Sequence, residues 1–336
     1  MQSKTKNTIS QNKIKELVYA NFGKNADLES INEMEDGFFN AVYSLKFVAP
    51  LNNYSEMVLK VGVTADTYVL TYEKDIMKTE VFVYKALTKT HVPVPNVIKY
   101  DNGRSLIDSD YFFMEKLQGQ TWAKLKNTIT PENSRHLQYD LGRYTATIHS
   151  IKGDYFGYIK ENERYQYPTW QKAFRSFIND IISDGRKARL DLPYENVLGA
   201  FEQYWAILDS VKEPLLVNYD MWDKNILLIE KNGLFVIEGI IDHERAFFGD
   251  PIADFLSTVT ICGALEKAED FIRGYKEIRP FVFGKEEQLR FWMYQVYMGL
   301  LIGVEVYRYD ETEIPRFMQL SRHIISMGIE KLKDVR

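Results

Sequence analysis

The sequence predicts an α+β protein of two lobes, the first small and strand-rich, the second larger and mainly helical. Three observations carry this. Strand patterns dominate the chain as far as Glu115; long helical periodicities fill most of the remainder; and a single Asn-Gly hairpin interrupts the helices. A chain of 336 residues also exceeds what one hydrophobic core usually supports.

Taken in order, Lys13 to Phe22 places Ile14, Leu17, Val18 and Ala20 at helical spacing. Phe39–Phe47 partly alternates and Met57–Val61 is a compact apolar run, so both read as strands, with Leu51-Asn52-Asn53-Tyr54-Ser55 as a hairpin loop. Thr71 to Leu87 reads as a helix with Ile76, Val81, Val83, Tyr84 and Leu87 on its apolar face. His91-Val92-Pro93-Val94-Pro95 stops it, because two prolines remove donors and force extended neighbours. Val97–Tyr100 and Tyr111–Glu115 resume strand character. The small lobe is therefore a roughly five-stranded antiparallel sheet with one helix inserted. Strand signals end at Met114–Gly119, which sets the lobes at 1–117 and 118–336 with a hinge near 114–118.

Beyond the hinge, helices are expected at 131–150, 168–187, 193–210, 251–262, 264–278, 285–304 and 314–333. The clear strand signals here are Ile226–Ile229 and Leu234–Ile237, joined by Lys231-Asn232-Gly233. The hairpin lies between two polar clusters and can bring them together.

Composition narrows the function. The chain is 45% hydrophobic and 26% charged, ordinary for a soluble globular protein. A net charge of −5 without any Lys/Arg cluster argues against nucleic acid as a partner. The lone Cys262 excludes an internal disulfide or a multi-Cys zinc site, suits a reducing compartment, and reads as buried packing. The polar Met1–Thr8 stretch lacks the apolar core of a secretory signal, and Phe291–Val304 is too short to span a bilayer. A cytoplasmic protein with no membrane partner is expected.

The chemistry concentrates in Asn218-Tyr219-Asp220-Met221-Trp222-Asp223-Lys224-Asn225 and, past the hairpin, Ile241-Asp242-His243-Glu244. An Asp five residues before an Asn allows one loop to offer a base to a hydroxyl and an amide oxygen to Mg²⁺. Asp220 is the base; Asn225 and Asp242 are the metal ligands, since Mg²⁺ takes a few hard oxygens and keeps its waters. Taken singly, each carboxylate also suits a turn cap. Lys60 sits inside an apolar strand, where an unpaired ammonium is expensive, and Glu80 on the next helix is its natural partner. Such a pair holds nucleotide α- and β-phosphates. Glu35-Asp36-Gly37-Phe38-Phe39-Asn40 lies where a nucleotide loop belongs, with Gly37 and Asn40 the residues to contact phosphate, although an ordinary hairpin fits as well.

Other residues have structural readings. Asp250-Pro251 is a helix start, with Asp250 as N-cap. Asp254, one turn on, either anchors the Asp220 loop or serves the helix dipole. The five histidines are not clustered as metal ligands. Tyr165, Tyr167, Trp170, Tyr204 and Trp205 suit core and rim packing, or a substrate pocket. From Asn218 to Asp254 the chain has eight carboxylates against Lys224, Lys231 and Arg245, a density that fits a metal ion and leaves room for a cationic substrate.

These motifs resemble the aminoglycoside phosphotransferase and choline kinase family, relatives of the protein kinases, over roughly Ile31 to Tyr275. In that family a His-Gly-Asp-x-x-x-x-Asn loop supplies the base and one metal ligand; Ile-Asp-Trp/Phe-Glu ending in Gly-Asp-Pro-x-x-Asp supplies the other. Asp220, Asn225, Asp242, Glu244, Gly249-Asp250-Pro251 and Asp254 fall on this pattern. Val92-Pro93-Val94-Pro95 and Phe113-Met114-Glu115 are similar too. Asn218 and Tyr219 replace the usual His and Gly, and Asp223-Lys224 replaces the common Pro-Gly. The resemblance implies a protein-kinase-like fold, ATP or GTP held by backbone groups of Met114, Glu115, Lys116 and Leu117, Mg²⁺, and transfer of the γ-phosphoryl group to a small hydroxylated acceptor. The acidic segment favours a cationic acceptor such as an aminoglycoside, with Glu244, Asp184 and Tyr219 as contacts. Asn218 and Tyr219 leave open a nucleotide-binding pseudokinase or regulatory module with little transfer. Protein kinase activity is not expected, because no Ala-Pro-Glu segment comes after Asp242. The oligomeric state is not legible.

Overall fold

The computed structural model describes residues 3–34, 37 and 39–335. By its internal contacts the chain divides into two compact units. The smaller comprises Met1–Val69, Pro95–Leu117 and Arg308–Glu311, and the larger Leu70–Val94, Gln118–Tyr307 and Thr312–Arg336. Leu117 and Gln118 thus fall in different units, and Leu70–Val94 belongs to the larger.

The smaller unit opens with helix α1 (Gln11–Phe22), capped by Ser10, whose hydroxyl accepts from the Lys13 amide. Its sheet has the order β1-β2-β3-β5-β4, formed by β1 (Leu28–Glu33), β2 (Ala41–Leu51), β3 (Tyr54–Val61), β4 (Val97–Asp101) and β5 (Tyr111–Glu115), with every pairing antiparallel. Ile14, Leu17 and Val18 of α1 close one core with Tyr43, Leu45, Leu59, Tyr111 and Phe113. The β2–β3 turn places Asn52 and Asn53 at φ 50° and 71°, the left-handed pair of a tight hairpin, which Asn tolerates. Strand β1 has no strand pattern of its own, because Leu-Glu-Ser-Ile-Asn-Glu lies at the sheet edge and is at most half-buried.

The larger unit contains α2 (Ile76–Leu87), β6 (Gln120–Thr121), α3 (Trp122–Leu125), α4 (Pro131–Ile148), β7 (Gly157–Tyr158), α5 (Trp170–Lys187), α6 (Tyr194–Phe201), β8 (Leu215–Val217), β9 (Ile226–Lys231), β10 (Leu234–Ile240), β11 (Phe247–Gly249), α7 (Phe255–Cys262), α8 (Glu269–Lys276), α9 (Lys285–Val304) and α10 (Ile314–Asp334). Helix α2 starts at Ile76 rather than Thr71, because Asp75 adopts φ 61° and the Thr71 amide is taken by a side chain. The helix expected at 193–210 is α6 followed by a 3-10 turn at Trp205–Ser210. Gly142 and Gly274 let α4 and α8 touch: a Cβ at Gly142 would lie 2.0 Å from the Phe271 carbonyl oxygen. Trp170, Phe174, Phe177, Phe247 and Tyr294 form the aromatic centre of this unit and are buried. Of the residues suggested for a pocket, Trp170 is therefore core.

Two small sheets carry the functional loops. Hairpin β9–β10 turns at Asn232 and Gly233, with φ 54° and 80°, and pairs with β6 on its other side. The second sheet has the order β7-β11-β8. Its strands are two or three residues long, too short to show periodicity. No helix among the described residues is long and apolar enough to cross a membrane.

Candidate active site

Strand β8 delivers Asn218-Tyr219-Asp220, and the turn is fixed by a carboxylate from the segment after Pro251. The buried Asp254 accepts from the amides of Asn218 (2.9 Å, Oδ2) and Tyr219 (2.5 Å, Oδ1). His149 Nε2 lies 2.8 Å from the same Oδ2 and His149 Nδ1 lies 2.9 Å from the Tyr275 hydroxyl. Asp254 is thus the anchor of the loop. Tyr219 stands at φ 63°, a left-handed conformation that costs a bulky residue about 1–3 kcal/mol. Two contributions offset it: the amide bond to Asp254, and burial of the ring, whose hydroxyl donates to the Tyr294 carbonyl at 2.9 Å and which stacks near Tyr297. The side chain of Tyr219, expected as a substrate contact, therefore packs in the core.

Asp220 comes next, at the surface of this anchor, part-buried. Trp222 Nε1 donates to Oδ1, Asn225 Nδ2 donates to the Asp220 carbonyl (2.8 Å) and to Oδ2 (3.2 Å), and Arg245 Nε lies 3.8 Å from Oδ2. Burial pushes the Asp220 carboxyl up to about 6; Arg245 and the Trp222 bond oppose that rise, and Asp242 and Glu305 add to it. Such a value suits a group that must take a proton near neutral pH. Arg245 is held in turn by Glu305, at 2.9 and 3.0 Å from its Nη2, and Tyr72 donates its hydroxyl to Glu305.

The hairpin assembles the carboxylate side of the site. The Ile241 amide donates to the Asn225 carbonyl at 2.9 Å, which brings Asp242 beside Asn225. With the Asn225 amide nitrogen committed to Asp220, its amide oxygen is the group available to a cation. Asp242 is at φ 64°, tolerable for Asp, and its amide donates to the Tyr84 hydroxyl, which donates to Glu80 Oε1, both at 3.1 Å. Carboxylate oxygens of Glu80, Asp242 and Glu244 lie within 4.8 Å of one another, a hard-oxygen donor set that suits Mg²⁺.

The larger unit thus brings together Asp220, Asn225, Asp242, Glu244 and Glu80. Asp184, expected as a substrate contact, is placed elsewhere: this carboxylate is buried and accepts from the Thr71 amide (2.6 Å) and hydroxyl (3.0 Å). In the smaller unit, Lys60 is buried on β3 between register partners Val42 and Phe112. Asn40 is buried beside Gly37; Glu35, Asp36 and Phe38 of that turn lie outside the described residues. Met114 pairs with Val58, the Glu115 amide donates to the Asn96 carbonyl, Lys116 forms an ion pair with Glu56 at 2.7 Å, and Leu117 ends the Pro95–Leu117 segment of the unit. Asp250 is the expected N-cap, accepting from the Ile252 amide, and is also bound by Arg290 and Tyr294. Cys262 is only part-buried; its thiol donates to Gln138 and burial pushes it up to about 12.

Arg245, Glu305, Trp222 and Tyr84 carry no local sequence signal as site residues, with one exception. Glu305 interrupts the apolar run Met298–Val306, and a carboxylate there needs donors if it is buried, as it is.

Residues 48–292 match the phosphotransferase enzyme family (APH). The chain belongs to that family. It is 25% identical over 182 residues to acyl-CoA dehydrogenase family member 11 of Rattus norvegicus; that match takes in 51% of this chain and only 21% of the rat protein. Among solved structures, a thermostable mutant of aminoglycoside phosphotransferase APH(4)-Ia in ternary complex with ADP and hygromycin B superposes with a TM-score of 0.64, at 18% identity and covering 95% of this chain and 98% of that one. The streptomycin–ATP ternary complex of APH(2")-IIa gives 0.61 at 17% identity, covering 97% and 99%. ADP-bound aminoglycoside phosphotransferase APH(2'')-Ib gives 0.60 at 17% identity, covering 96% and 99%. At these identities the likeness establishes the fold, the kinase-like fold expected from the motifs. Membership of the family makes the chain a phosphotransferase by class.

Proposed function

We propose that the protein transfers the γ-phosphoryl group of ATP or GTP to a hydroxyl of a small acceptor, with Asp220 as the base. The observation that carries this is the joined geometry of Asp220, Asn225 and Asp242, in which one amide side chain bonds the base and its backbone bonds the strand end bearing the metal carboxylate. Asp220 orients the acceptor hydroxyl and takes its proton, a role matched by a carboxyl raised to about 6. Asn225 and Asp242, with Glu244 and Glu80 close by, hold Mg²⁺, which supplies charge neutralisation for the phosphates. Lys60 and the backbone of Met114–Leu117 are proposed to hold the nucleotide from the smaller unit, with Gly37 and Asn40 at its phosphates.

The solved relatives bound to hygromycin B and to streptomycin motivate cationic acceptors, and the carboxylates around Asp242 suit a positive charge. Asn218 and Tyr219 do not displace Asp220, because Asp254 holds the loop by its backbone and the Tyr219 ring turns into the core. This supports turnover over a nucleotide-binding module without it. A screen of aminoglycosides, amino alcohols, sugars and other hydroxylated antibiotics for stimulated ADP or GDP release in Mg²⁺ tests the proposal. At least one acceptor is expected to stimulate release that Asp220→Asn abolishes; tight nucleotide binding with no acceptor stimulation across the set would favour the pseudokinase.

A further inference from the structure

Helix α2 carries Glu80 and Tyr84 to Asp242, and the larger unit grips the approach to that helix at several points. Three consecutive residues after β7 each hold it. The Ile159 carbonyl accepts from Thr79 Oγ1 at 2.9 Å; Lys160 Nζ donates to the carbonyls of Thr71 and Tyr72, both at 3.1 Å; and Glu161 pairs with Lys78. From α5, Asp184 adds the amide and hydroxyl of Thr71. Tyr72 reaches Glu305, the residue that holds Arg245 against Asp220.

The chemistry of this grip is more than packing. Lys160 is 5% exposed, and its ammonium rests on the faces of Tyr158 and Tyr165, 5.2 and 4.6 Å from their centroids. A cation is expensive to keep there, and burial lowers the Lys160 amine to about 8. Asp184 is equally buried, at 4%; Thr71 engages both of its oxygens, while the exposed Lys187 stands 3.6 Å from Oδ1. Two buried ionisable groups devoted to one turn of backbone indicate that the turn must be held in a single place. That turn positions the start of α2, one to two helical turns ahead of Glu80 and Tyr84.

We propose that Lys160 and Asp184 are positioning residues that lock α2 onto the catalytic loop, so that Glu80 and the Tyr84 hydroxyl stay registered on Asp242. This builds on the reading of Asp242 as a metal ligand, but the lock itself can be measured without any turnover. The near-isosteric variants Asp184→Asn and Thr79→Val, and then Lys160→Met, are compared with the native chain by amide hydrogen exchange and by Mg²⁺-dependent nucleotide binding. The expected result is at least about tenfold faster exchange at the α2 amides of each variant with α4 and α9 unchanged. The Mg²⁺ needed for half-maximal nucleotide binding should rise about three- to tenfold, with acceptor KM unmoved. Unchanged α2 exchange in Asp184→Asn and Thr79→Val overturns the lock, as does loss of protection spread evenly over all helices of the larger unit. If α2 loosens in a protein that transfers no phosphate, the lock stands and the proposed transfer fails.

Discussion

Asp254 and Asp220 lie on segments that meet at one turn, yet they are solvated by the protein in different ways. Asp254 takes two backbone amides and a histidine nitrogen. Asp250 likewise takes an amide, a guanidinium and a tyrosine hydroxyl. Among the described residues, the partners of the Asp220 carboxylate are side chains, with the cation at 3.8 Å and other carboxylates near enough to raise it. Backbone donors are fixed dipoles that stabilise a carboxylate permanently and make it a structural post. A carboxylate that burial has made reluctant to ionise retains affinity for a proton, which is what a base requires.

The largest effect should come from removing the proposed base. Asp220→Asn is expected to lower transfer by about 10²- to 10⁴-fold, read as acceptor-dependent ADP or GDP release, and to raise the midpoint of thermal unfolding at neutral pH. The sign of the second effect rests on the raised carboxyl: ionisation of Asp220 is disfavoured by folding, a cost that appears as pH climbs from the unfolded value and is complete above about 6. A variant that is both as active as the native chain and no more stable would erase the contrast.

Asp254→Asn should act in the opposite sense on stability. Its amide would turn NH₂ toward one of two backbone donors, so a loss of about 2–4 kcal/mol is expected in urea unfolding. A change below roughly 0.5 kcal/mol would show that the anchor is dispensable.

The smallest effect concerns charge. In the native chain kcat should fall as pH drops through about 6, where Asp220 gains its proton. The Arg245 cation holds that carboxyl down, so its loss should move this acid limb to higher pH, by about one unit. The double variant Arg245→Met/Glu305→Gln avoids leaving Glu305 as an unpaired buried carboxylate; because Glu305 itself raises Asp220, the move is read against Glu305→Gln alone, which isolates the Arg245 charge. An acid limb that stays in place would remove Arg245 from the site.

The same contrast separates what is legible in the sequence from what is not. That Asp220, Asn225 and Asp242 come together is legible because local spacing and one Asn-Gly hairpin set their geometry. Helices α4, α5 and α10 are legible because their apolar faces repeat over many turns, and α9 because it is a long, nearly continuous apolar run. Strands β7, β8 and β11 are not, since two or three residues cannot show a period. The approach of the Tyr84 hydroxyl to the Asp242 amide spans 158 residues, and Arg245 to Glu305 spans 60, separations at which no local pattern signals contact. Asp184 illustrates the reverse hazard: an acidic residue on an amphipathic helix looks available to a ligand, but it is buried and bound to Thr71.

If Asp220 performs proton transfer while Asp242 holds the metal-bound nucleotide, the two carboxylates must respond differently to loss of charge. Isothermal titration of ATP with Mg²⁺ into the native chain, Asp220→Asn and Asp242→Asn separates the two roles. Nucleotide affinity is expected to stay within about twofold of native for Asp220→Asn and to be at least tenfold weaker for Asp242→Asn. Equal affinity in all three proteins, or a loss confined to Asp220→Asn, would overturn this division of labour.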